Sequence, residues 1–158
     1  MIEKHISIRP ATQEDADAIA FLLRALGSFR LIEAEPEAAT AERTRRHLAM
    51  SLSGDQHLVL VAVEANGALA GYAAVHWLPY LILAGPEGFV SELFVREDCR
   101  GAGIGGRLLD RIEAEARSRG CARLMLVNIR DRESYTRQFY TKQGWAERED
   151  VANFVLKL

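Results

Sequence analysis

The fold is decided by one stretch of the sequence, FVSELFVREDCRGAGIGGRLLDRIEAEA at residues 89–116. Residues 89–95 have the apolar and aromatic composition of a buried strand, which only Glu92 interrupts strongly. From residue 104 onward the apolar positions follow a helical period: Ile104, Leu108, Leu109, Ile112 and Ala116. A glycine-rich segment therefore joins a strand to the N-terminus of an amphipathic helix.

This junction predicts a phosphate-binding loop. Several backbone amides and the positive end of the helix face the same way, and glycines let the backbone approach a ligand closely. The candidate binding residues are Arg100, Gly101, Ala102, Gly103, Ile104, Gly105 and Gly106. The guanidinium groups of Arg100 and Arg107 are placed to add charge-assisted hydrogen bonds to phosphate oxygens.

Two common phosphate loops fit this segment poorly. A Walker A loop requires Lys and Ser or Thr after its last glycine, but Arg107 and Leu108 follow Gly106. The dinucleotide pattern Gly-x-Gly-x-x-Gly is present, yet it lies late in the chain, and Asp131 is the one acid near the expected offset. An NTPase and a dinucleotide-binding fold are both disfavoured.

The rest of the chain predicts an α/β (α+β) domain. The expected order is a strand, two helices, three strands, a helix, a strand, a helix and one or two closing strands. The hairpin is the clearest part, because Asn66-Gly67 separates two apolar runs and suits the positive φ values of a two-residue turn. The expected ranges are strands 5–10, 57–64, 68–77, 89–95 and 123–129, helices 12–26, 36–52, 104–119 and 134–143, and closing strands within 145–158.

Two spaced motifs resemble the GNAT superfamily of N-acetyltransferases. The first is Arg100-Gly101-x-Gly103-x-Gly105, and the second is Phe139-Tyr140 followed by Gly144-Trp145. The resemblance implies a mixed, mostly antiparallel central sheet of six to seven strands with about four flanking helices, splayed at a cofactor cleft. We expect a single domain over residues 1–158.

The resemblance also implies roles for particular residues. Backbone groups of Leu93, Phe94 and Val95 would bind the pantetheine arm of acetyl-CoA, the loop amides would bind its pyrophosphate, and Tyr140 would contact the cofactor and protonate the leaving thiolate. Glu92 is the candidate base, because a carboxylate within an apolar strand is expensive to bury and is expected to face a wet cleft. The family often has Asn and Ala where this chain has Glu133 and Thr136, so the side-chain contact of residue 133 to the cofactor arm stays open.

Charge and composition limit the classes of partner that we expect this chain to bind. The net charge of −2 gives no support for nucleic-acid binding, although residues 88–158 carry a net charge of +2. The chain shows no membrane span, export signal or metal-ligand spacing, so we expect a cytoplasmic protein without a metal. A homodimer is an open expectation, since dimers are frequent in the family.

The resulting functional hypothesis is transfer of an acetyl group from acetyl-CoA to a primary amine by direct attack in a ternary complex. A small-molecule acceptor is preferred, with residues 27–47 and 77–83 as its determinants. Glu33, Glu35 and Glu37 are candidates for attracting a cationic amine. A protein or peptide N-acetyltransferase and a non-catalytic CoA-binding regulatory module are the alternatives.

Overall fold

The computed structural model describes residues 5–158, which form five strands and six α-helices. The strands are β1 Ile6–Pro10, β2 His57–Glu64, β3 Leu69–Leu78, β4 Glu87–Val95 and β5 Arg123–Leu126. The helices are α1 Ala16–Ala25, α2 Arg30–Ala34, α3 Glu37–Leu52, α4 Ile104–Ser118, α5 Glu133–Thr136 and α6 Phe139–Lys142. The predicted mixed α/β class is confirmed.

The five strands form one open sheet in the order β1-β2-β3-β4-β5. Strands β1 to β4 pair antiparallel with their neighbours, whereas β4 and β5 are parallel. A parallel pair needs a long crossover, and α4 supplies it. The predicted strand, glycine-rich loop and helix of residues 89–116 thus form the first part of the β4-α4-β5 crossover.

Helices α1 and α3 cover one face of the sheet. Their buried side chains Ile19, Leu22 and Leu48 form one apolar cluster with Val61 and Tyr72 of the sheet. Leu60 in β2 and Ala73 in β3 alternate with Val61 and Tyr72 along their strands, and they are buried as well. The apolar stripe of α4, with Leu108 and Ile112 fully buried, packs against the sheet through β3 and β4.

The β2-β3 hairpin is confirmed, but its turn differs from the prediction. The Glu64 N–H donates to the Ala68 carbonyl at 2.9 Å, so the loop has three residues rather than two. Of the Asn66-Gly67 pair, only Gly67 has a positive φ, at 86°. A three-residue loop with glycine at its left-handed position is a standard alternative to the two-residue turn.

The chain divides into two compact units, residues up to Leu126 and Val127–Leu158. In the second unit, the predicted helix 134–143 is instead two short helices, α5 and α6. Gln138 separates them with a left-handed φ of 56°. Sequence gives little warning of this break, because non-glycine residues seldom adopt that conformation.

The predicted strand count of six to seven is slightly too high. Strand β5 ends at Leu126 rather than residue 129, and the described chain forms no strand after it. The segment 151–158 has strand-like composition, but Phe154, Val155 and Leu156 are exposed. Strand-like composition does not produce a strand by itself, since a strand forms only where a neighbouring strand pairs with it. Residues 28–35, which lie between the predicted helices 12–26 and 36–52, contain the short helix α2.

Candidate functional site

Strand β4 changes its pairing halfway along its length. Its first half, Glu87–Val90, pairs with β3 on one side and with Arg123–Leu126 of β5 on the other. The register against β3 then shifts, because Ala74 is opposite Glu92 while Val75 is opposite Val90. Ser91 is therefore the extra residue of a β-bulge, and the pairing with β5 stops at Val90.

The second half of β4 has the backbone expected of a ligand-binding edge. Leu93, Phe94 and Val95 are paired with β3 on one side only, as far as the described strands show. Outward-facing backbone groups of such a segment need partners and can pair with an extended, amide-bearing ligand. The sequence-predicted residues Leu93–Val95 lie on this edge.

The glycine-rich loop leads from β4 into α4 with two left-handed residues. Gly101 and Gly103 have φ of 79° and 75°, conformations that glycine adopts without strain. A Cβ atom added at either glycine would meet nothing within 4 Å, so the backbone there is open to a ligand. The Arg107 N–H donates to the Gly103 carbonyl at 3.1 Å, the first bond of α4. The amides of Ile104, Gly105 and Gly106 precede that bond and face the helix end.

The two arginines beside the loop have contacts of their own. The Arg100 Nε donates to the Val95 carbonyl at 3.3 Å, and its side chain is exposed. The Arg107 Nη2 donates to the Ile6 carbonyl at 2.9 Å, which ties α4 to β1. Arg107 has a structural contact that the sequence did not indicate.

Glu92, the predicted base, lies in β4 just after the bulge, and its side chain is exposed. Its Oε2 accepts a hydrogen bond of 2.6 Å from the hydroxyl of Tyr72, which is almost completely buried in β3. Burial and the nearby Glu92 carboxylate raise the pKa of Tyr72 well above its usual value, so its phenol is a proton donor at neutral pH. Sequence reasoning missed Tyr72, whose position in an apolar strand indicated only packing.

A second polar pair lies at the bulge. His76 Nε2 and Ser91 Oγ are 2.9 Å apart, and the rings of His57 and His76 meet edge to face at 4.7 Å. Burial and the neighbouring His57 lower the pKa of His76, so its imidazole is neutral at pH 7. The alternation of β3 places Tyr72 and His76 on one face, a signal in the sequence that was not used.

The segment between α1 and α3 is tied to both helices by a charged network. Arg24 Nη1 donates to the carbonyls of Ile32 and Glu35 and to Thr40 Oγ1. Arg43 forms two hydrogen bonds with the Glu35 carboxylate, at 2.5 and 2.6 Å. Glu35 is thus a structural anchor of this segment, and its engaged carboxylate is a poor candidate for attracting an amine.

Aromatic contacts connect this segment to β4. The rings of Phe29 and Phe94 meet edge to face at 5.5 Å, and the Phe94 ring lies 5.8 Å from that of Tyr72. Phe94 is two residues from Glu92 on the same face of β4. The segment expected to recognise the acceptor therefore contacts β4 beside the candidate base.

The β3-β4 loop supplies fewer acceptor candidates than predicted. Trp77 is buried, and the Arg119 guanidinium lies over its ring at 5.0 Å, so the indole is a structural element. Tyr80, Leu81 and Ile82 are exposed. The acceptor determinants predicted here are therefore confined to the tip of the loop.

Tyr140 lies at the start of α6 in the second unit. Its ring contacts Phe139 at 5.0 Å and Trp145 at 6.2 Å. Burial raises the pKa of its phenol, which is therefore protonated at neutral pH and able to donate. Glu133 begins α5 and lies 3.7 Å from Arg137, one helical turn on.

No group of three or more His, Cys, Asp or Glu side chains within residues 5–158 is arranged to hold a metal ion. Over the same residues, every helix is too short or too polar to cross a bilayer.

Comparison with known proteins decides the family. A model of the acetyltransferase (GNAT) family matches residues 13–145. The chain belongs to the GNAT acetyltransferase family. Members of this family are acyltransferases that use acetyl-CoA as co-substrate, so the predicted family and enzyme class are confirmed.

Several curated relatives of this GNAT chain are acetyltransferases. An acetyltransferase of Agrobacterium fabrum is 34% identical over 65% of this chain and 65% of its own length, so the match spans just under two thirds of that relative. Glucosamine 6-phosphate N-acetyltransferase 1 of Oryza sativa is 30% identical over 78% of this chain and 73% of its own. Aminoglycoside N(6')-acetyltransferase type 1 of Stenotrophomonas maltophilia is 29% identical over 100% and 97%.

The fold recurs in solved structures. A protein of Bacillus halodurans described as a transcriptional regulator superposes with a TM-score of 0.81 at 21% identity, covering 98% of this chain and 100% of its own. This similarity supports the fold assignment and carries no information on function.

Glu35 anchors the segment between α1 and α3, and its ionisation makes the stability of the fold depend on pH. Arg43 and Thr40 lower the pKa of Glu35 from 4.5 to about 2. A lowered pKa in the folded state stabilises the protein above pH 4.5, and that stabilisation is lost as the pH falls towards 2. Urea unfolding of Glu35→Gln should therefore show a larger loss of stability at pH 6 than at pH 2. Glu33→Gln on the exposed side of α2 is the control, and equal pH dependence in both variants would contradict the anchor.

Proposed function

We propose that this protein is an N-acetyltransferase that moves an acetyl group from acetyl-CoA to the primary amine of a small molecule, by direct attack in a ternary complex. The observation that carries the proposal is the change of pairing in β4, which brings a one-sided strand edge, an exposed carboxylate and the glycine-rich loop together. We further propose that residues 13–145, which the family model matches across both compact units, act as one acetyltransferase domain.

The residues present fit acetyl-CoA. The amides of residues 101–106 suit the pyrophosphate, because the open backbone at Gly101 and Gly103 admits it and the N-terminus of α4 favours its charge. The exposed Arg100 adds a cation beside the loop. Backbone groups of Leu93, Phe94 and Val95 suit the amides of the pantetheine arm. When bound, acetyl-CoA supplies an activated thioester whose carbonyl the amine attacks.

The chain itself supplies proton transfer and charge stabilisation. Glu92 removes the proton of the attacking amine, directly or through a water molecule. A backbone amide within Leu93–Val95 stabilises the oxyanion that develops on the carbonyl. Tyr140, protonated at neutral pH, donates a proton to the departing thiolate.

Two observations favour a small acceptor. The relatives from Oryza sativa and Stenotrophomonas maltophilia act, by name, on glucosamine 6-phosphate, which is an amino sugar, and on aminoglycosides, which contain amino sugars. The Arg24–Glu35–Arg43 network and the Phe29–Phe94 contact fix the acceptor segment against β4. A fixed wall suits a compact amine better than a long peptide, because the peptide requires an open groove.

A free-thiol assay with a panel of amines tests this function. Acetyl-CoA with amino sugars, polyamines, amino acids and short peptides should release free CoA, and we expect the highest kcat/KM with an amino sugar or another compact amine. Release with peptides only would overturn the small-molecule acceptor. Tight acetyl-CoA binding with no release on the whole panel would favour the regulatory module.

A charged side chain at residue 103 tests the proposal that the glycine-rich loop binds the pyrophosphate. Gly103→Asp and Gly103→Asn add side chains of equal size at a position with open space, and both residues tolerate a positive φ better than most. Calorimetry should show acetyl-CoA binding to Gly103→Asp weaker than to Gly103→Asn by roughly 10-fold to 100-fold, because the carboxylate repels the pyrophosphate. The difference should shrink in high salt. Equal affinities at low salt would contradict the assigned loop.

Tyr140→Phe tests the proposed acid. The substitution removes one hydroxyl, so kcat should fall on the order of 100-fold while KM for acetyl-CoA changes little. The control is Tyr135→Phe, which removes the hydroxyl that donates to Glu147 at 2.9 Å in the same unit. Similar turnover in the two variants would remove Tyr140 from the mechanism.

A further inference from the structure

The Tyr72 hydroxyl is a buried group with a partner at the candidate site. Tyr72 is only 2% exposed, yet its hydroxyl donates at 2.6 Å to Glu92 Oε2 on an exposed side chain. A buried phenol requires a hydrogen-bond partner, but core residues usually find one in the backbone or in another buried group. Here the partner is the carboxylate to which we assign proton transfer.

The ring of Tyr72 is held firmly. It belongs to the apolar cluster under α1 and α3, and Phe94 packs against it at 5.8 Å. Tyr72 is opposite Phe94 and Ala74 is opposite Glu92, so Tyr72 and Glu92 are diagonal neighbours on one face of the β3-β4 pair. The packing fixes the hydroxyl, and the hydroxyl in turn selects one orientation of an otherwise flexible carboxylate.

The bond also distinguishes the two oxygens of Glu92. The hydroxyl that donates to Oε2 engages that oxygen as a hydrogen-bond acceptor. Proton transfer then falls to Oε1. His76 and His57 are titratable groups near this face of β3 and β4. His76 is hydrogen-bonded to Ser91 and interacts electrostatically with the Glu92 carboxylate.

We propose that Tyr72 is a positioning residue, which holds Glu92 in a single orientation for deprotonation of the acceptor amine. This inference rests on the proposed function of Glu92 as the base. It assigns a role to a side chain that touches neither substrate in that scheme.

A double-mutant cycle separates positioning from packing. Tyr72→Phe, which keeps the ring and removes the hydroxyl, should lower kcat by roughly 10-fold with KM for acetyl-CoA unchanged, because a hydrogen bond to a charged group is lost. In a Glu92→Gln background the same substitution should have no further effect on kcat, since the base is already absent. Additive losses would overturn the proposal.

Spectroscopy supplies a readout that does not depend on turnover. With the glutamate side-chain carboxyls labelled with ¹³C, the signal absent from Glu92→Gln identifies Glu92. In Tyr72→Phe the chemical shift of that signal at a fixed pH should change, because one carboxylate oxygen has lost its hydrogen-bond donor. An unchanged chemical shift would overturn the proposal.

One control variant and two further outcomes separate the possible explanations. Val75→Ala removes buried volume from the same strand without touching Glu92, and it should destabilise the fold while leaving kcat and the Glu92 signal unchanged. Full turnover in Glu92→Gln would overturn the positioning role and leave the acetyltransferase assignment intact. Absence of CoA release with every amine would overturn both.

Discussion

The bulge at Ser91 is the constraint on which the site depends. Up to Val90, β4 is an interior strand, paired with β3 and with β5. One extra residue shifts the register and bends the strand, so the remaining residues continue along β3 while β5 does not follow. The same bulge gives the sheet an open edge for an extended ligand and brings Ser91 and Glu92 to the side chains of His76 and Tyr72.

The short connection from β4 to α4 brings a second binding feature, the N-terminus of α4, close to the open edge of β4. The chain passes from Val95 to the start of α4 at Ile104 through a 3₁₀ turn at Glu97–Cys99 and two left-handed glycines. The unpaired amides of the helix end therefore lie one short loop from the open half of β4. The helix-end amides suit a phosphate, and the open half of β4 suits an amide-bearing arm. A CoA thioester carries both groups.

The sequence predicted those parts of the fold that are encoded locally. The period of the apolar residues located α4, and the two runs around Asn66-Gly67 located the hairpin, because each pattern is complete within a short window. The bulge was not predictable, since it arises from how β3 and β4 pair. Gln138 broke the last predicted helix without a glycine to signal it. The Tyr72–Glu92 bond was missed for a similar reason, because the two residues are 20 positions apart and meet only in the sheet.

Strand β4 carries two carboxylates whose partners differ in charge, and this difference separates structure from chemistry. Glu87 is completely buried and paired with Arg123, so its charge is neutralised where β4 and β5 join. Glu92 is exposed and bonded to a neutral phenol. A guanidinium at that position would hold the carboxylate ionised by direct charge attraction and weaken it as a proton acceptor. A phenol orients the carboxylate without neutralising its negative charge, which suits the role that we propose for Glu92 as the base for an attacking amine.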